Sequence, residues 1–410
     1  MRTVLTLVLF ALTPTLFAAE PETRLIRVQS TADSGDGTFR NAILEANANC
    51  GPGIHCEIGF DLPTGSTFQP LTPLPAITAC GSLLIDGGNI FRDVDRPYEL
   101  SGVRITEGKG SGLEYRPVCV DPAHLNVNGL AINSFPDDGI TLMPSDTNPV
   151  QHSDVRLEGV FIGTDRTGRM ARPNGLRGIT SHMTSVVLSV TRAILSGNGR
   201  SGLFLSNVAY ARVYGCLIGT AADGLPLGNG AAGIFLHHGS LSADRNVIAY
   251  NSDFGIALAR GASAAIESEN SIHSNEFVGI DWGLDGPTRE TREELGIPNA
   301  PMMSNAIYDA ETNTTIVYGT LAIEKVLGQR YAIRLFSNRT ANERGEWEGE
   351  TTYPSSSMDL FPSAPGVYAW EVRHRGDLRG EVVTTTVGVA QFSDFPIRIS
   401  SEFSSAIAVH

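Results

Sequence analysis

Apolar and polar residues alternate with a period of two through the middle of the chain, and a glycine leads each alternating run. GITL begins at Gly139, GITS at Gly178, GLFL at Gly202, GIFL at Gly233, GIAL at Gly255 and GIDW at Gly279. The intervals are 39, 24, 31, 22 and 24 residues, and the longer ones carry extra loops, IGTDRTGRMARPNG (162 to 175) and IGTAADGLPLGNG (218 to 230). Between these runs lie second strand-like segments, VRLEGVFIGT, VVLSVTRAILSGN, ARVYGCLIGT, RNVIAYN and ENSIHSN. The period and the β-branched residues point to strands rather than helices. Repeats of this length cannot each bury their apolar side chains, whereas a stack of them makes a continuous core. The pattern therefore predicts a parallel β-solenoid, right-handed as parallel crossovers nearly always are. Ile140, Leu142, Ile179, Leu203, Leu205, Ile234, Leu236, Ile256 and Leu258 are its expected core. Asn246 and Asn251 recur as Asn270 and Asn275 exactly one 24-residue interval later, so turn asparagines are expected to stack their amides.

The flanks read differently. Residues 38 to 46, TFRNAILEA, place apolar residues at helical spacing with Thr38 as N-cap, as for an amphipathic helix lying over the first open strand edge. After Pro301 the segments IYDAETNTTIVYGTLA, QRYAIRLFSNR, GVYAWEVRHR and VVTTTVGVAQFSD alternate and are joined by turns, which predicts a compact antiparallel β-sandwich.

Composition adds the compartment. Residues 1 to 19 combine Arg2, an apolar stretch from Val4 to Leu12 and the small Ala18 and Ala19, which reads as a secretory signal peptide and not a membrane span. The expected location is extracellular or periplasmic, where disulfides form. Of five cysteines, Cys50 and Cys56 clamp a short Gly-Pro loop, Cys80 and Cys119 are the next candidate pair, and Cys216 is left as a small buried residue. No ligand spacing for a metal stands out, and no cofactor is identified. The net charge is −14 and lysine occurs only at Lys109 and Lys325, which argues against nucleic acid as a partner. Lys109 also leaves a lysine-based lyase mechanism with almost no candidate.

STADSGDGTFRNAILEANAN (30 to 49), the LPAIT to LLIDGG step (74 to 88), the IGTD-type loops, the GI-x-L runs and NEFVGIDWGLDGPT (275 to 288) resemble exported bacterial right-handed parallel β-helix proteins of the pectate-lyase-like superfamily. The resemblance covers roughly residues 25 to 400. It implies a β-helix over residues 20–297 and an immunoglobulin-like β-sandwich over 298–410. The wider class includes polysaccharide lyases, polygalacturonase-like hydrolases and adhesins, so architecture is specified better than activity. The chain departs from similar sequences after Asp285, where TRETREELGIPN replaces an Asp- and Asn-rich linker suited to calcium.

Candidate chemistry follows from counting outward positions from each repeat glycine. The second position holds Thr141, Thr180, Phe204, Phe235, Ala257 and Asp281, and the fourth holds Met143, His182, Ser206, His237, Ala259 and Gly283; His238 and Arg260 share the fifth. This predicts a surface strip in which His182, His237, His238, Arg260 and Asp281 are candidate catalytic groups and Phe204 and Phe235 stack beside a sugar. On a uronate polymer Arg260 would neutralise the carboxylate and a neutral histidine would take the C5 proton. Asp137 and Asp138, with Arg177 one repeat on, form a second candidate cluster for substrate, though Asp-Asp-Gly is also ordinary turn chemistry. Three readings stay open: a lyase or hydrolase acting on an extracellular polysaccharide, a non-catalytic protein that binds a polysaccharide or cell-surface glycan, and a purely structural exported solenoid.

Overall fold

The computed structural model describes residues 22–88, 98–105, 109–118, 122–146, 152–267, 269–286, 296–391 and 397–410. These residues are nearly all β. Fourteen strands make one parallel sheet and eight make another, and two antiparallel sheets follow at the C-terminal end of the chain. The expected signal peptide, residues 1 to 19, lies outside the described residues.

The glycine-led repeat is the unit of pairing. One repeat gives the strands Ile179–His182, Val186–Thr191 and Ile194–Leu195, and the next gives Leu203–Asn207, Tyr210–Tyr214 and Leu217–Ile218. Each strand pairs in parallel with its counterpart one repeat on: Ile179 with Leu203, Leu188 with Ala211, Ile194 with Leu217. In the two repeats that follow, the first two strands merge into Ile234–Asp244 and Ile256–Ile266. All nine residues expected in the core are fully buried. They belong to one continuous apolar cluster that runs from Ile26 to Ile297.

Two devices turn the chain at the corners. After the second strand of each repeat, Gly129, Gly159, Arg192, Gly215 and Arg245 occupy equivalent places, and all have φ between 49° and 63°. Glycine fits that left-handed conformation freely, whereas the two arginines adopt it at a cost. At the other corner the asparagines form a ladder. Nδ2 of Asn174 donates to Oδ1 of Asn198, and the same bond links Asn198 to Asn229, Asn229 to Asn251 and Asn251 to Asn275. Each rung also donates to a backbone carbonyl, such as Asn229 Nδ2 to Leu195 O at 2.8 Å, so the buried amides are satisfied.

The first parallel strands are covered by the helix Phe39–Asn49, capped by Thr38, whose side chain accepts from Asn41 N; Phe39, Ala42, Ile43 and Ala46 face the core. Cys50 and Cys56 form a disulfide. Cys80 carries a free thiol, and Cys119 lies outside the described residues. Cys216 is fully buried, and burial pushes its thiol up to about 12.

The C-terminal strands Met302–Asp309, Thr314–Ile323 and Gly366–Arg375 form one antiparallel sheet; Arg330–Asn338, Thr351–Leu360, Val382–Ala390 and two short strands form the other. Together they enclose a separate apolar cluster. Thr351–Leu360 was not expected from alternation. It is an edge strand interrupted by Pro354, and its register against Arg330–Asn338 slips there, so its polar, irregular pattern carries little periodic signal.

Candidate functional site

Strand pairing fixes the expected strip residue by residue. The second position runs Glu114, Thr141, Thr180, Phe204, Phe235, Ala257, Asp281 on adjacent strands of the larger parallel sheet, and Thr141, Thr180, Ala257 and Asp281 are buried there. Phe204 and Phe235 pair directly, with ring centroids 5.1 Å apart and planes 20° from parallel. The Arg177 guanidinium lies over the Phe204 ring, 4.0 Å from its centroid. The guanidinium and the neighbouring ring thus both pack against Phe204. Both rings are half-buried.

His237 and His238 are exposed, their Nδ1 atoms are 2.6 Å apart, and the rings meet edge to face. Two neighbouring imidazoles sharing one hydrogen requires that one nitrogen donate and the other accept. The registers beyond the aromatic pair differ from simple counting. A shift between Ser181 and His182 puts His182 opposite Asn207 instead of Ser206. A second shift after Leu236 puts His238 opposite Gly261 instead of Arg260. A side chain on Gly261 would come within 2.6 Å of His238 Cδ2, so the His238 ring lies across the neighbouring strand and would have to swing aside for any larger residue there. These irregularities occur where the first strand of a repeat passes into the second, a place where bulges re-aim side chains.

Asp281 is fully buried, which corrects its expected place on the exposed strip. Its Oδ2 accepts from Gly286 N at 3.3 Å, because the chain after Trp282 folds back over it. Asp137 and Asp138 each accept a backbone N–H from a neighbouring repeat. Asp137 Oδ2 accepts from Gly110 N at 2.7 Å, and the buried Asp138 accepts from Arg177 N at 2.9 Å through Oδ1. Arg260 is exposed on the strand that carries Gly261. The structure therefore gathers Arg177, Phe204, Phe235, His237 and His238 on one face and draws the three carboxylates into backbone hydrogen bonds.

Counting from the repeat glycines did not reach a second polar cluster. His55, Ser82, His124 and Asp154 fall in one outward column of the second strands, and His152 also approaches Asp154. Counting outward positions in IHCEIGF, SLLID, AHLNVN and SDVRLE would have aligned these residues, but the first repeats have irregular lengths. Among the described residues no group of three or more His, Cys, Asp or Glu side chains is placed to hold a metal ion. No helix among them is long and apolar enough to cross a membrane. A scan against models of known protein families finds none that matches the chain, and a search of curated proteins finds no significant match.

Proposed function

We propose that the protein is an exported right-handed parallel β-helix with a C-terminal immunoglobulin-like β-sandwich, and that its outward strip binds an extracellular polysaccharide. The observation that carries this reading is the column Arg177, Phe204, Phe235 beside the exposed pair His237 and His238. The exposed parts of the two half-buried rings offer apolar contact to the C–H groups of a sugar, and imidazole and guanidinium nitrogens read its hydroxyl or carboxylate groups. Binding is favoured over hydrolysis because Asp137, Asp138 and Asp281 all accept backbone N–H bonds and two of them are buried. These three carboxylates are engaged by the backbone, which counts against them as the acid and base of a hydrolase. A lyase reading keeps one specific support, the exposed imidazole pair, which can take the acidic C5 proton of a uronate.

The test is a panel of purified acidic and neutral polysaccharides, scored for binding, reducing ends and unsaturated-product absorbance. Wild-type protein is expected to bind at least one polymer. Replacing His237 and His238 together by alanine should lower affinity at least tenfold, about 1.4 kcal/mol. Both side chains are exposed, so stability should change by about 0.5 kcal/mol or less. Retention of binding by the double variant sinks the strip as the site, and product absorbance lost with the same change would establish the lyase reading.

A further inference from the structure

On the outward face of the larger parallel sheet, directly paired residues run His55, Ser82, His124, Asp154 across four neighbouring strands. Ser82 is five strand spacings, roughly 24 Å, from the strand that carries His237 and His238, so the two groups are separate. Ser82 thus sits between two imidazoles. His55 Nδ1 is 3.1 Å from Ser82 Oγ, a hydrogen bond. On the other side, His124 Nδ1 is 3.2 Å from Asp154 Oδ2, and His152 Nε2 is 3.4 Å from Asp154 Oδ1.

A cavity of about 530 Å³ opens over His55, Ser82 and His124, with Pro52, Ile54 and Pro122 among its apolar walls. That is the size and mixed lining of a small-molecule site. Its walls are held firmly. The Cys50–Cys56 disulfide closes the loop that carries Pro52, Ile54 and His55. Cys80 N and Gly81 N both donate to Cys50 O, at 3.0 and 2.8 Å. A side chain on Gly81 would come within 2.3 Å of Ile54 O and 2.4 Å of Gly51 O, so only glycine lets the strand that begins at Ser82 lie this close. A hydroxyl bonded to an imidazole at the floor of an open pocket has the nucleophile and base of covalent catalysis, and a second imidazole, held by a carboxylate, flanks it.

We propose that this cavity is an acyl-transfer site in which Ser82 is the nucleophile and His55 its base, and that its substrate class is a carboxylic ester with a compact acyl group. The acyl group rests against Pro52, Ile54 and Pro122. Ser82 Oγ bonds to the carbonyl carbon and its proton passes to His55 Nδ1. The tetrahedral adduct collapses, the ester C–O bond breaks, and the leaving alkoxide takes the proton back from His55 as an alcohol. Water then attacks the acyl-Ser82 ester and gives its proton to His55. Collapse of that adduct releases the carboxylic acid, and Ser82 Oγ recovers its proton. His124, held by Asp154, closes the far side of Ser82.

The experiment uses the full chain with its disulfide intact, a fluorophosphonate probe and, separately, 4-nitrophenyl acetate. The expected result is a single phosphonylated peptide containing Ser82, and an acetyl group on the same residue after brief exposure to the ester. Ser82→Ala should abolish both. His55→Asn, which keeps a hydrogen-bonding side chain but no base, should slow labelling about 100-fold or more. Circular dichroism and free-thiol counts on both variants establish that fold and disulfide are unchanged. Modification found on Cys80 or any other residue, absence of labelling, or a His55→Asn rate equal to wild type overturns the proposal.

Discussion

Glu348 takes the place that an asparagine holds on each preceding rung. Its Oε1 accepts from Asn275 Nδ2 and its Oε2 from Asn275 N, both at 3.2 Å, so a carboxyl from the C-terminal sheets ends the amide ladder of the parallel stack. Burial pushes this carboxyl up to about 8, and the Asn275 bonds only partly offset that. A carboxyl whose folded-state pKa lies above its unfolded value of 4.5 binds more protons when folded. Its contribution is complete below about pH 4.5, falls as the pH rises to about 8 and is flat beyond. The loss is on the order of a few kcal/mol. His273, whose ring is held below its ordinary value by burial, acts in the opposite sense and gains stability as the pH rises toward 6.5. Glu348→Gln keeps an acceptor on Asn275 and removes the ionisation. Between pH 5 and pH 8.5 the urea midpoint should fall in wild type relative to the variant, in which the His273 contribution remains and the Glu348 loss is gone. Parallel pH dependence in both proteins would show that Glu348 ionises without burial cost.

At the scale of the element, the ladder turns a row of short strands into a stack. Asn229 is the clearest single rung. It donates to Leu195 O and Asn251 Oδ1 and accepts from both N and Nδ2 of Asn198. Asn229→Ala would leave several buried groups without a partner, at about 3 kcal/mol or more. The check is a urea denaturation midpoint, with an unchanged slope showing that the same surface is still exposed on unfolding. A cost near that of an exposed substitution would mean that water replaces the amide, and that the ladder specifies register without stabilising the stack.

The whole molecule is closed at both ends of its parallel stack. The helix Phe39–Asn49 lies against the strands Glu22–Val28 and Ile54–Phe60. At the other end Trp282 N donates to Glu402 Oε1, Trp282 Nε1 donates to Ser400 O, and Ile272 and Gly349 exchange both backbone bonds. The buried Arg334 crosses the same junction to Ile266 O and Glu267. An uncovered parallel edge is a template for pairing with another chain. Removing residues 298–410 exposes the strand Ile280–Trp282 and is expected to give concentration-dependent association by light scattering. A truncated chain that stays monomeric and keeps its urea midpoint would mean that the last strand needs no cover.

The glycine spacing, the period of two and the recurring Asn pairs were enough to identify strands, their repeat and their inward residues. Each of these is local or recurs at a nearly constant interval, and the core positions follow directly from side-chain alternation. The helix cap at Thr38 and the Cys50–Cys56 bridge were legible for the same reason: their signals span fewer than ten residues. Side-chain direction beyond the core was not. Register shifts after Ser181 and Leu236 moved His182 and His238 off their counted neighbours, because a strand corner can absorb one residue without disturbing the inward row. Burial of Asp281 depended on how the chain after Trp282 folds back. Residues 55, 82, 124 and 154 share no motif, and only parallel pairing at one strand spacing per repeat makes them neighbours. Sequence therefore determined what is inside, through periodicity. Tertiary structure decided which outward groups meet, because that depends on register between segments whose connecting loops vary in length.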